Sequence, residues 1–400
     1  MSPLSACAVL ALVLQAPAST PASLPTARAV VMAADGAETR VPLGEFEVPD
    51  PASFRAALVR FEGGPAPAAP AADAATVELA GGERFLGALT GGGGERFELR
   101  LAEGLVLPVD LERLQALRFE SRLVGAVGVE PAAEGDRIYR AQAGGVERID
   151  GAVEGFSEAG VRFHGELVGT IAIPWRSVAA LFIEPLGAAP DAPAAGTVPV
   201  VLDLADGSRV RGALRGVRGR AVDFERQGAV LRIPLQAVLQ IARDDGSLAF
   251  LASLPPVEDG SSRPFGDDLG MVWRARTDRS VDGGPLRAGG VRHPRGLGVH
   301  APSRVAWKLD GSQARLSGAV AVDDEVQRLA TRGSCVFRVL LDGREAFVSP
   351  VLRAGDAPVP FTLDVLGARE LALVADPTSD GFAGDRANWL GLVLLRAQSR

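Results

Sequence analysis

The residues able to do chemistry are few and lie mostly in the last third of the chain. There are three histidines, His164, His293 and His300, and two cysteines, Cys7 and Cys335. Neither the HExxH pattern of a metal site with its base nor the GxSxG pattern of a nucleophile occurs. Carboxylates stand together at Asp323-Asp324-Glu325, and Asp376, Asp380 and Asp385 are spread along a glycine-containing loop. Hydrolysis of a glycosidic bond needs two carboxylates flanking that bond. Asp323 and Glu325 supply carboxyl groups, but nothing in the pattern sets a second one opposite. The expectation is a protein that is not an enzyme.

Composition narrows the classes further. The 400 residues carry 42 basic and 49 acidic side chains, a net charge of -7. A nucleic-acid surface needs a clustered positive field, so no nucleic-acid partner is expected. The apolar run from Ala6 to Leu14, followed by Ala16-Pro17-Ala18, reads as a secretory leader with a small-x-small cleavage site. No later run has the length of a membrane span. Removal of the leader takes Cys7 with it and leaves Cys335 alone, a small buried filler in an apolar run. The expected location is secreted, or periplasmic in the cell envelope.

Two Ala/Pro/Gly stretches, Gly63 to Pro70 and Gly187 to Gly196, read as linkers. Around them runs an internal repeat. Leu79-Ala80-Gly81-Gly82-Glu83-Arg84-Phe85-Leu86-Gly87 aligns with Leu204-Ala205-Asp206-Gly207-Ser208-Arg209-Val210-Arg211-Gly212, and Ala143 to Gly151 fits with one extra residue. Each copy then has a Phe (Phe97, Phe163, Phe224), an apolar-Pro-apolar step and a closing apolar pair. Gly81-Gly82 and Asp206-Gly207 are hairpin turns, and Gly87, Gly151 and Gly212 suggest a bulge or sharp bend. Each copy reads as a small, strongly bent, SH3-like or Sm-like barrel, or as a piece of a larger sheet. Ala33-Ala34-Asp35-Gly36 opens a degenerate earlier copy. The expected division is a leader over 1–18, a degenerate β segment over 19–75, repeats over 76–121, 137–185 and 198–245, a linker over 186–197, and a sandwich over 263–397.

In the last segment short apolar runs alternate with turn signals, among them Asp310-Gly311, Asp342-Gly343 and Gly367, as in a β-sandwich. Its marks come in a fixed order: Gly289-Gly290, Arg295-Gly296-Leu297-Gly298-Val299-His300-Ala301, Asp323-Asp324-Glu325, Asp342-Gly343 and Asn388-Trp389. This order resembles the NPCBM family, carbohydrate-binding modules first noticed beside glycoside hydrolases. One departure is Asn388, where the family often has Asp. The resemblance implies a galactose-binding-like jelly roll after the barrel-like repeats, an all-β protein throughout.

It also implies a glycan partner, galactoside-type among the possibilities, held without covalent chemistry. Aromatic faces would meet C–H surfaces, and polar groups would read hydroxyls. The candidates are Trp273, His300, Asp323, Asp324, Glu325, Arg386, Asn388 and Trp389, with Trp307 beside them. Several fit a plainer role: Trp307 alternates with Val305 and Leu309 as a core residue does, and His300 as a hydrogen-bonded structural residue. Sandwiches of this class often hold structural calcium, which takes hard carboxylate oxygens. Asp376, Asp380 and Asp385 are one candidate set and Asp323-Asp324-Glu325 another. Two alternatives to a glycan binder remain: an envelope scaffold binding protein partners through the repeats' sheet edges, and a non-catalytic remnant of a larger hydrolase.

Overall fold

The computed structural model describes residues 27–63, 71, 73–185, 196–263 and 272–397. The expected leader and most of the 186–197 linker lie outside them. The described chain is all β, with strands and single 3-10 turns. Among the described residues no helix is long and apolar enough to cross a membrane.

Side-chain alternation builds these strands. Arg96–Leu101 reads RFELRL, and its Phe97, Leu99 and Leu101 are buried while Arg96, Glu98 and Arg100 face out. Three segments share one plan. The first runs Ala75–Leu79, Arg84–Gly93, Arg96–Leu101, Val106–Asp110, a 3-10 turn at Leu111–Arg113, then Leu114–Arg118. The same order recurs from Asp136–Gln142 to Val178–Phe182 and from Val198–Leu204 to Val238–Arg243. In each, the fifth strand pairs with the first. The fourth pairs with the third, and no pairing among the described residues joins it to the fifth. The units are therefore bent open sheets, not closed barrels.

The glycines at the centre of each second strand act by close approach rather than as the bulge itself. A Cβ on Gly87 would stand 2.5 Å from the Arg100 carbonyl oxygen, one on Gly151 2.0 Å from that of His164, and one on Gly212 2.3 Å from that of Glu225. The register breaks lie a little farther on, at Leu89/Gly91, Val153/Gly155 and Leu214/Gly216. Bend and bulge together fold each sheet over its own Phe: Phe97, Phe163 and Phe224 have no exposed surface. Ahead of them, Arg28–Met32 pairs with both Glu38–Pro42 and Leu58–Glu62. These correspond to the first, second and fifth strands of the plan, and 3-10 turns stand where the third and fourth would be.

The units meet at matched positions. Closing strands pair antiparallel, with Leu117 opposite Leu181 and Val59 opposite Ile241. The hairpins of the first and third units abut with Arg84 opposite Arg209, the same place in the aligned sequences. There the Leu86 amide donates to Ser208 Oγ at 2.9 Å, and the Arg211 amide donates to Glu83 Oε1 at 3.0 Å. Ser208 aligns with Glu83 and Arg211 with Leu86, so the contact has local two-fold symmetry. One apolar core runs through all four units.

From Leu248 on, two antiparallel six-stranded sheets pack face to face around a second core. One contains Gly296–His300, Gln313–Val322 and Arg386–Arg396; the other contains Ser303–Lys308, Ser334–Leu341 and Glu370–Pro377. Asp342-Gly343 turns a hairpin as its dipeptide predicts. Asp310-Gly311 and Gly367 do not: the strands they join belong to opposite sheets.

A buried charge network locks the sandwich to the third unit. Asp203 accepts from Arg295 Nε at 2.8 Å, Arg209 Nε at 2.8 Å and Gln240 Nε2 at 2.7 Å. Arg209 also reaches Asp278 at 2.7 Å. Burial opposes ionisation of Asp203, but Arg295 and Arg209 outweigh it and hold its carboxyl below the ordinary range. Asp203→Ala would leave two buried guanidiniums without their shared partner. The expected cost is roughly 3–5 kcal/mol, read as a lower midpoint of chemical denaturation. An unchanged midpoint would show that the network does not hold the joint.

Candidate functional site

The motif strand Gly296–His300 organises the site. Leu297 and Val299 point into the core, whereas Gly296 and Gly298 make room for neighbouring backbone. A Cβ on Gly296 would lie 2.2 Å from the Trp389 carbonyl oxygen, and one on Gly298 2.4 Å from that of Arg279. The loop from Asp278 to Arg287 can therefore lie directly on this strand. From there Ser280 Oγ donates to Glu325 Oε2 at 2.9 Å.

Four of the expected residues come together. His300 and Arg386 are cross-strand neighbours. Trp273 stacks on His300, with centroids 4.8 Å apart and planes 15° from parallel. The Arg386 guanidinium lies 5.8 Å from the same indole ring. Arg386 also pairs with Asp282 at 2.7 Å and stands 3.8 Å from Glu325 Oε1. Among the described residues neither Glu325 Oε1 nor Arg386 Nε has a hydrogen-bond partner. Burial first, then the neighbouring Asp323, pushes the Glu325 carboxyl upward. Burial lowers the pKa of His300, and its Nδ1 lies 2.7 Å from the Ala301 carbonyl oxygen. The arrangement offers a half-buried indole, a guanidinium and two carboxyl groups on one side of the sandwich. Asp282 and Ser280 carry no mark in the sequence; only the fold of their loop brings them here.

The other expected contacts are structural. Trp389 is fully buried, edge-on to Phe337 with centroids 5.2 Å apart. Trp307 is buried with its indole N–H donating to the Leu254 carbonyl at 3.0 Å. Asn388 and Asp323 are also buried, and Asn388 Nδ2 donates to Asp323 Oδ2 at 2.5 Å. The departure at Asn388 thus supplies a donor where a second carboxylate would repel Asp323. Asp324 accepts the amides of Gly289 and Gly290, at 3.1 and 2.8 Å, and braces that hairpin turn. Of the module's three tryptophans, Trp273 alone keeps an indole partly at the surface.

The residues of the expected calcium set are engaged by protein partners. Asp376 accepts from Arg338 Nε at 2.9 Å, and Asp380 accepts from Thr378 and Ser334 hydroxyls at 2.6 and 2.8 Å. Among the described residues no group of three or more His, Cys, Asp or Glu side chains is placed to hold a metal ion. Asp385 is fully buried; Oδ1 accepts the Ser334 amide at 2.9 Å, and Oδ2 has no hydrogen-bond partner among the described residues. Burial pushes its carboxyl up to about 7.

Residues 263–395 match the family model described as the NPCBM/NEW2 domain. This segment is an NPCBM domain. Over 92 residues the chain is 41% identical to a protein of Renibacterium salmoninarum named "Putative endo-alpha-N-acetylgalactosaminidase", covering 23% of this chain and 6% of that one. Over 121 residues it is 34% identical to alpha-1,3-galactosidase B of Akkermansia muciniphila, covering 29% and 15%. The chain thus spans a small part of these curated relatives. Among solved structures, a CBM51 module of a Clostridium perfringens GH95 protein in complex with methyl-galactose aligns at 23% identity and TM-score 0.31, covering 37% of this chain and 99% of that one.

Asp385 gives the NPCBM domain a pH signature. Its folded value lies above the unfolded 3.8, so the folded state retains a proton that the unfolded state releases. Its contribution to stability is full below about pH 4 and is lost as pH rises toward 7, by up to about 1.4 kcal/mol per pH unit. Asp385→Asn keeps a neutral acceptor for Ser334. Its stability relative to wild type should therefore climb between pH 4 and 7 and then level off in denaturation curves. A constant difference across that range would contradict the assignment.

Proposed function

We propose that this protein is an exported, non-catalytic glycan-binding protein that holds its ligand at the Trp273 cluster of the NPCBM domain. The observation that carries this reading is the half-buried indole stacked on His300, with Arg386, Glu325 and Asp282 beside it. A pyranose offers a C–H face to an aromatic ring and hydroxyls to charged groups at its edge. Arg386 donates; Asp282 and Glu325 accept. The names of the two curated relatives favour galactose or N-acetylgalactosamine as the sugar. Export is supported by the apolar run Ala6 to Leu14 and the Ala16-Pro17-Ala18 step.

We read the two carboxyl groups of this site as ligand-binding groups rather than a catalytic pair. Glu325 is tied to Ser280, and Asp282 is paired with Arg386. Both therefore serve to position the guanidinium and to accept hydroxyls.

Calorimetric titration of the full chain with galactose, N-acetylgalactosamine and galactose-terminated oligosaccharides is the direct test. Saturable binding is expected. Trp273→Ala should weaken it by about tenfold or more, while Leu366→Ala, at an exposed site on the domain, should leave it unchanged. Absence of saturable binding to these sugars and to a wider glycan array, by folded protein, would end the proposal.

A further inference from the structure

The loop from Asp278 to Arg287 has a second side. Away from the Trp273 cluster it faces the β units, and a cavity of about 600 Å3 lies between them. Four guanidiniums line it: Arg84 from the first unit, and Arg279, Arg287 and Arg292 from the NPCBM domain. Three of them donate to backbone carbonyls. Arg84 Nε donates to the Gly207 carbonyl at 3.3 Å, Arg292 to that of Ala205 at 2.9 Å, and Arg279 to that of Gly283 at 3.0 Å. None of the four forms an ion pair among the described residues.

The acidic residues at the cavity do little to neutralise this charge. Asp278 is already paired with Arg209 and accepts the Gly296 amide. Asp206 accepts the amides of Ser208 and Ala102 at 2.7 and 3.3 Å, and burial pushes its carboxyl up, toward the neutral form. Glu120 is exposed at the rim. Burial first, then neighbouring cations, lowers both Arg84 and Arg292. A small inner recess shares Arg84, Asp278 and Arg292 with the cavity and adds His293, whose Nε2 is buried without a partner. Partly buried cations held apart without counter-charge are costly unless an anion joins them.

We infer that this cavity is a binding site for a small oxyanion, sulfate or carboxylate, either free or carried on an acidic saccharide. The guanidinium forks match such oxygens in pairs. The cavity's size suits a small ligand, and the chain's net charge of -7 opposes a long polyanion. The site is distinct from the Trp273 cluster, though one loop contributes to both.

Titration of the full chain at low ionic strength with sulfate, glucuronate, galactose 6-sulfate and neutral galactose tests it, with chloride at matched ionic strength as reference. Saturable binding of the anionic probes is expected, with a concentration-dependent rise in thermal midpoint. Tighter binding of galactose 6-sulfate than of sulfate would assign the saccharide as source, and equal binding the free anion. Arg84→Gln and Arg292→Gln should each weaken anion binding about tenfold to a hundredfold. Arg287→Gln, at an exposed position, should weaken it in the same direction. Trp273→Ala should leave sulfate binding intact, which separates this site from the glycan site. No saturable anion binding, an effect equalled by chloride, or binding indifferent to all three arginine variants would overturn the inference.

Discussion

Buried charge must be paired, and here that requirement sets how the two halves of the molecule meet. Asp203 belongs to a strand of the third β unit; Arg295 opens the glycine-rich motif of the NPCBM domain. Their contact is fully desolvated and shared with Arg209, which continues to Asp278. Directional bonds between buried ions tolerate little rotation, so the network acts as a register pin. A small apolar cluster of Met32, Leu58, Leu248, Phe250, Val393 and Leu395 covers the same joint from the side of the degenerate unit.

The loop that begins at Asp278 inherits its position from this joint. It is pinned at its start by Asp278, which also accepts the Gly296 amide, and it packs on Gly298 because no side chain intervenes. From that fixed path Ser280 holds Glu325 and Asp282 holds Arg386. The opposite side of the loop presents Arg279 and Arg287 to the cavity shared with the β units. The motif's glycines therefore act on the site indirectly, by letting backbone approach backbone.

The β units show how similar sequences can join without closing. Each leaves its fifth strand with a free edge, and the neighbouring unit's equivalent strand covers it. Equivalent residues meet at these contacts, so one interface chemistry serves repeatedly. Edge strands that would otherwise be open to unwanted pairing are used inside the molecule.

Much of this was legible in the residue order. Period-two alternation, glycine turns and the spaced Phe residues specified strands and the repeated plan, because those signals act over a few residues. The order of glycines, acidic triplet and Asn388-Trp389 specified the NPCBM resemblance. Other outcomes depended on which distant strands become neighbours. Asp310-Gly311 looks like a hairpin, yet it crosses between sheets. Trp389 and Trp273 are the same residue type, but one is enclosed by Phe337 and Phe361 and the other lies half open on His300. Asp282 gains its role only because Arg386 arrives from a strand about a hundred residues away. Local sequence governs backbone conformation through sterics and alternation; burial, pairing of charge and exposure of an indole arise from long-range packing, which no short window of residues contains.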